Sequence, residues 1–172
     1  MDDEIIELHG IHGTTPDKGA SIQQYGFVNF SDTGQAGKGV YFWHDSKIPP
    51  RWGYDLAKDW VRKKEVKYCV CIFATITTSF ESYLDMDDAY MNDQLAKMIF
   101  EKRLTNKAKG KVYDLFFELW EQIYKVEIEA FTCHVSPPNM NRYPYLILGF
   151  PRAHVAKNVQ RIHIDGYENV PL

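Results

Sequence analysis

A chain of 172 residues, 45% apolar and 15% aromatic, carries enough material to close one hydrophobic core, and a single domain over 1-172 is expected. Twenty basic against 23 acidic residues leave a formal charge of −3, so the composition lacks the broad positive field that draws many proteins to nucleic acid. The acidic opening MDDEIIELHG and the lack of eighteen consecutive apolar residues predict neither a secretion signal nor a membrane span, hence a cytoplasmic protein with no membrane partner.

Residues 5 to 12 read as a short strand ending at glycines. Thr15 then caps a short amphipathic helix with Pro16 at its first position and Gly26 at its end. The turn-rich interval 30–39, FSDTGQAGKG, leads into a second strand, GVYFW. After Pro49 and Pro50, the residues Trp52, Leu56, Trp60 and Val61 recur at helical spacing, which puts Trp60 on a buried stripe. KYCVCIFATITTSF (67–80) is rich in β-branched and aromatic residues and reads as a buried strand, with Cys69 and Cys71 pointing the same way as small core residues. Three cysteines, with Cys133 the third, fit neither a disulfide framework nor zinc-ligand spacing.

Asp87 or Asp88 caps the next helix, with Met91, Leu95, Met98 and Ile99 on one face; capping accounts for the cluster Asp85, Asp87, Asp88 better than a metal does. Beyond TNKAKG a second helix shows Val112, Leu115, Phe116, Leu119 and Ile123, and the two form a hairpin against the sheet. KVEIEAFTCHV (125–135), PYLILGF (144–150) and VQRIHID (159–165) supply three further strands. The expected fold class is α+β, with a sheet of about six strands and flanking helices.

GQAGKG superficially suggests a phosphate cradle, but Lys38 precedes Gly39 and a strand, where a Walker loop needs Ser or Thr and a helix. An ordered set of short motifs is more informative: His12-Gly13-Thr14, Ile22, Gly26-Phe27, then Gly37-Lys38-Gly39-Val40-Tyr41-Phe42. With these spacings the chain resembles, over residues 5 to about 62, the NAD-binding half of the ADP-ribosyltransferase superfamily in its diphtheria-toxin and poly(ADP-ribose) polymerase branch. Counting from His9 would misplace Ile22 and Gly26 by three positions, so His12 is the motif histidine, and His9 faces the other side of its strand.

The resemblance implies a split mixed sheet and NAD as co-substrate, with no metal. It implies that His12 bonds a ribose hydroxyl, that the Gly13 backbone meets the nicotinamide amide, that Thr14 adds a hydroxyl contact, and that Tyr41 lies on the nicotinamide ring. Breaking the nicotinamide bond develops oxocarbenium character that such groups serve to stabilise. Ser46 is the counterpart of a family serine, and Tyr54 or Trp60 of a second stacking aromatic. The family's catalytic glutamate sits on a strand whose best counterpart is PYLILGF, where Pro144, Tyr145 and Leu146 fill the slot and no carboxylate does. Relatives lacking that glutamate transfer single units, so chain elongation is not expected.

Glu129 shares a strand face with Phe131, Cys133 and Val135, where an unpaired carboxylate is costly. It is either the functional acid reached through a different strand order or an edge-strand residue facing solvent. The function implied is NAD-dependent mono-ADP-ribosyl transfer, with nicotinamide release, to a protein, RNA or DNA acceptor. Stand-alone transferases of this kind resemble toxins and phage-defence effectors with a cognate antitoxin or inhibitor. Two alternatives are a catalytically weak domain that binds NAD, ADP-ribose or a partner protein, and an NAD-dependent RNA 2′-phosphotransferase, which needs arginines.

Overall fold

The computed structural model describes residues 4–28, 30, 34–47, 49 and 51–172; residues 31–33 of the expected turn and Pro50 lie outside them. Seven strands form one sheet: β1 (Ile5–Thr14), β2 (Val40–His44), β3 (Tyr68–Ser79), β4 (Tyr83–Asp85), β5 (Ala130–His134), β6 (Arg152–Ala156) and β7 (Ile162–Pro171). Their order is β4-β5-β6-β2-β1-β3-β7, with β4 and β5 parallel and every other pair antiparallel. Helices α1 (Pro16–Tyr25), α2 (Trp52–Arg62), α3 (Ala89–Glu101), α4 (Lys109–Tyr124) and the one-turn α5 (Tyr145–Leu148) flank it. The protein is α+β with a mixed sheet, and no helix among the described residues is long and apolar enough to cross a membrane.

Pattern and packing agree over most of this. The β-branched run of β3 pairs with β1 along its whole length, from Ile5 opposite Ser79 to Thr14 opposite Val70. Alternation then sorts the side chains. Leu8, Val40, Phe42, Ala74 and Ile76 meet on one face, while Ile11, Cys69 and Cys71 pack under Ala57 and Val61 of α2 on the other. Helices α3 and α4 lay Leu95, Met98, Val112, Phe116 and Phe117 on Phe131, Cys133 and Val155. Phe117 and Phe131 are fully buried, each contributing up to about 3 kcal/mol of hydrophobic stabilisation. Asp88 caps α3, accepting from the backbone N–H of Tyr90 and Met91, while Asp85 and Asp87 hold the Arg152 guanidinium. Pro16 opens α1 as expected, but Thr15 makes no side-chain cap bond.

The strand inventory departs from expectation in the last third. PYLILGF is not a strand: α5 replaces it, with Leu146 85% and Ile147 87% exposed. The sheet position is filled instead by Arg152–Ala156, and Tyr83–Asp85 adds a strand, giving seven rather than about six. The supposed glutamate slot at Pro144, Tyr145 and Leu146 therefore lies off the sheet.

Glu129 is not solvent-facing. It is 7% exposed just before β5, an interior strand, and its carboxylate accepts from Thr78 Oγ1 (2.9 Å), Asn158 Nδ2 (3.2 Å) and Arg161 Nε (2.8 Å). Burial works to raise this carboxyl, and the Arg161, Thr78 and Asn158 bonds outweigh it, holding the group below the usual range. The depressed value means this stabilisation is complete above the unfolded carboxylate range and is lost as pH falls through the folded one. Replacing Glu129 by Gln is expected to cost about 1–2 kcal/mol at pH 7, limited by the half-exposed Arg161, and nothing at pH 2, as read by urea denaturation at the two pH values.

Candidate active site

Beyond Gly10 opposite His44 and Ile11 opposite Trp43, β1 and β2 part: His12, Gly13 and Thr14 pair only with β3, and Val40 and Tyr41 only with β6. A cavity of about 620 Å³ opens at this divergence. His12, Gly13, Thr14 and Tyr41 all line it, together with Lys18 of α1 and Trp60 of α2.

His12 and Tyr41 reach the cavity by different routes. His12 shares its face with Phe42, and its ring sits against Phe27 (centroids 5.3 Å) and Phe42 (5.7 Å). Tyr41 leaves β2 on the opposite face, toward the core under α3 and α4. The cavity reaches both because the strands separate between them. A direct tie also joins them: His12 Nδ1 lies 2.9 Å from the Tyr41 carbonyl. A carbonyl only accepts, so Nδ1 carries the hydrogen and Nε2 is the acceptor end of the neutral ring. Burial lowers the imidazole pKa, the Tyr41 carbonyl partly restores it, and Lys18 lowers it again, leaving it below the usual 6.5 and neutral at pH 7.

The Tyr41 hydroxyl is committed to the backbone. It accepts from the Ala36 N–H (2.9 Å) and donates to the Gly37 carbonyl (2.6 Å). Gly37 adopts φ +100°, open to glycine at no steric cost, and a Cβ there would strike Asp114 of α4, whose carboxylate accepts from the Lys38 N–H. The glycines ahead of Tyr41 thus wrap its phenol and dock on α4. Burial raises the phenol pKa, so Tyr41 offers the cavity a neutral ring rather than a titrating group.

Gly13 is required for a reason the motif does not state. A Cβ there would overlap the backbone of Ala57, so α2 packs directly on β1 at this point. Gly13→Ala is expected to lower stability by about 2 kcal/mol in urea denaturation, because backbone rather than a flexible side chain must give way.

The other candidates divide. Ser46 is exposed and does not line the cavity. Nor does Tyr54, whose ring stacks on Phe73 (6.3 Å) and whose hydroxyl donates to Glu168 (2.8 Å). Trp60, expected in the core, is 46% exposed and lines the cavity, as does Lys64 just past α2. Glu129 is absent from the lining, and no Asp or Glu occurs in it among the described residues. His9 bonds Thr75 Oγ1 (2.9 Å), on the face of β1 opposite His12.

The segment between β5 and β6 holds the outer wall. Gln35 exchanges hydrogen bonds with the Ser136 backbone, Arg142 pairs with the buried Asp59 of α2 (2.6 Å), and Tyr143 packs on Trp52. Val135, the first residue of that segment, and Ala153 of β6 line the cavity. Sequence reading missed Lys18, Lys64 and Ala153; Lys18 alone left a signal, one turn past Thr15 on the same helix face. No protein-family model, no curated protein and no solved structure matches this chain.

Proposed function

We propose that the chain has an ADP-ribosyltransferase-like fold, binds NAD between the parted ends of β1 and β2, and transfers one ADP-ribose to a macromolecular acceptor. The observation that carries this reading is the convergence of His12, Gly13, Thr14 and Tyr41 on one cavity with aromatic walls. In it the His12 Nε2 accepts from a ribose hydroxyl, the only hydrogen-bonding role a neutral ring with a committed Nδ1 leaves to that atom. Tyr41 and Trp60 present ring faces to the nicotinamide, a planar cation that aromatic faces attract. In the transfer the bond from the ribose anomeric carbon to nicotinamide breaks, its electron pair leaving with nicotinamide. The acceptor's nucleophile forms the new bond and gives its proton to water.

One observation favours a second reading. Among the described residues the lining holds no carboxylate to polarise the nucleophile, which suits a domain that binds NAD or ADP-ribose without turning it over. The RNA 2′-phosphotransferase reading lacks its arginines, since none lines the cavity among the described residues. Incubating the protein with NAD and cell lysate and following free nicotinamide separates transfer from binding. Release that depends on the protein supports transfer, and its absence alongside measurable NAD affinity leaves the binding domain.

A further inference from the structure

Two ammonium groups line the cavity, those of Lys18 and Lys64. Lys58, Lys97 and Lys157 pair with Asp55, Glu101 and Glu121. Among the described residues Lys18 and Lys64 pair with no carboxylate, and the lining they belong to includes none. They come from different elements. Helix α1 turns Thr15, Lys18, Ser21 and Ile22 toward the cavity, one face at helical spacing, while Lys64 follows the last turn of α2 beside Trp60. Lys18 is near enough to His12 for its charge to act on the ring. The result is a concave, aromatic-walled space with an excess of positive charge, and low-dielectric walls concentrate that field on an anion entering it.

We propose that Lys18 and Lys64 form a diphosphate-recognition site, so that the cavity takes nucleoside 5′-diphosphate compounds as a class and discriminates against the corresponding nucleosides. This rests on the cavity being a nucleotide-binding site, as in the reading above, and is independent of the transfer step. Two ammonium groups match the two negative charges of a dinucleotide diphosphate, and an ammonium binds phosphate as a compact point charge without demanding a fixed approach. The aromatic walls add contact area for any base or nicotinamide ring, so the diphosphate carries the selectivity. It follows that ADP and ADP-ribose compete with NAD.

The test is isothermal titration of ADP-ribose, ADP, adenosine and inorganic pyrophosphate into the intact chain. The proteins compared are wild type, Lys18→Gln, Lys64→Gln, the double variant and Lys97→Gln as a control outside the cavity. Lys18 and Lys64 are both exposed, so the substitutions leave folding intact. ADP and ADP-ribose are expected to bind at least about tenfold more tightly than adenosine, and more weakly as salt is raised. Each lysine variant is expected to lose about tenfold and the double variant about 100-fold, with Lys97→Gln unchanged. Lys18→Gln also raises the His12 pKa, read by NMR titration of the imidazole.

Adenosine binding as tightly as ADP, affinities in both variants within twofold of wild type, or no binding of any ligand would overturn the proposal. NAD binding and nicotinamide release that ignore both lysines remove the diphosphate site and leave the transferase reading. Lysine-dependent ADP binding without nicotinamide release does the reverse.

Discussion

Changing His12 to Asn is expected to slow nicotinamide release from NAD by about 100-fold while the thermal midpoint stays within about 2 °C of wild type. The asparagine amide nitrogen falls where Nδ1 does, so it keeps donating to the Tyr41 carbonyl and preserves the tie between the parted strands. What it lacks is the Nε2 acceptor. His12→Ala is expected to cost the same in rate and, in addition, about 2 kcal/mol of stability, since it empties the space between Phe27 and Phe42 and strands the carbonyl. Equal loss of rate and of stability in both variants would make His12 a packing residue only. The pH profile adds an independent check. Because burial and Lys18 hold the imidazole pKa down, activity should stay level from pH 8 through 6.5 and fall only below that, as protonation fills Nε2.

Acid should also weaken the fold itself through His154, by about 3 kcal/mol between pH 7 and pH 4. This residue lies on β6, 4% exposed, opposite Phe42. Tyr83 donates to Thr132 Oγ1 (2.9 Å), Thr132 Oγ1 lies 2.8 Å from His154 Nδ1, and His154 Nε2 lies 2.9 Å from His44 Nδ1. With Thr132 donating to Nδ1, a neutral His154 donates from Nε2 to His44, and the chain closes with every hydrogen used once. Burial foremost, then His44, Arg152 and His9, lower the His154 pKa to about 3. The unfolded chain takes up this proton near pH 6.5 and the folded one does not, so stability is full above 6.5 and declines with pH down to the folded value. Urea denaturation from pH 7 to 4 should show that slope in wild type and a shallower one in His154→Gln. A His154 ring that titrates near 6.5 in the folded protein by NMR would refute it.

How legible the molecule was depends on how local each signal is. Pro16 at a helix start, the φ +72° glycine at position 26 and the β-branched run of β3 act within a few residues, and these elements fall where the sequence puts them. PYLILGF failed because an apolar run shows that a segment prefers burial without showing which segment wins the place. Arg152–Ala156 takes it by pairing with β2 on one side and β5 on the other, its Ala153 and Ala156 fitting closely among Phe42 and Phe131. A three-residue strand such as β4 carries too short a pattern to read. The helical spacing of Trp60 is right, since at about 100° per residue it falls between Leu56 and Gly53, inside the arc that α2 buries. It lies in the last turn of α2, where the helix borders the cavity instead of covering sheet, and that position along the axis is not carried by periodicity. Alternation sets Glu129 beside Phe131, Cys133 and Val135, but Ile128 packs with those residues instead, and Glu129, just before β5, bonds Thr78 on the other face of the sheet. Its partner Arg161 is 32 positions away and only the tertiary structure joins them.

The claim at the centre is that NAD enters where β1 and β2 part. Adding NAD to the isotopically labelled protein and following backbone amide shifts tests it directly. Perturbations concentrated at His12 to Thr14, Lys18, Gly39 to Tyr41 and Trp60 to Lys64 are predicted. Saturating NAD that leaves those amides unmoved, or that moves a separate surface instead, would contradict the account.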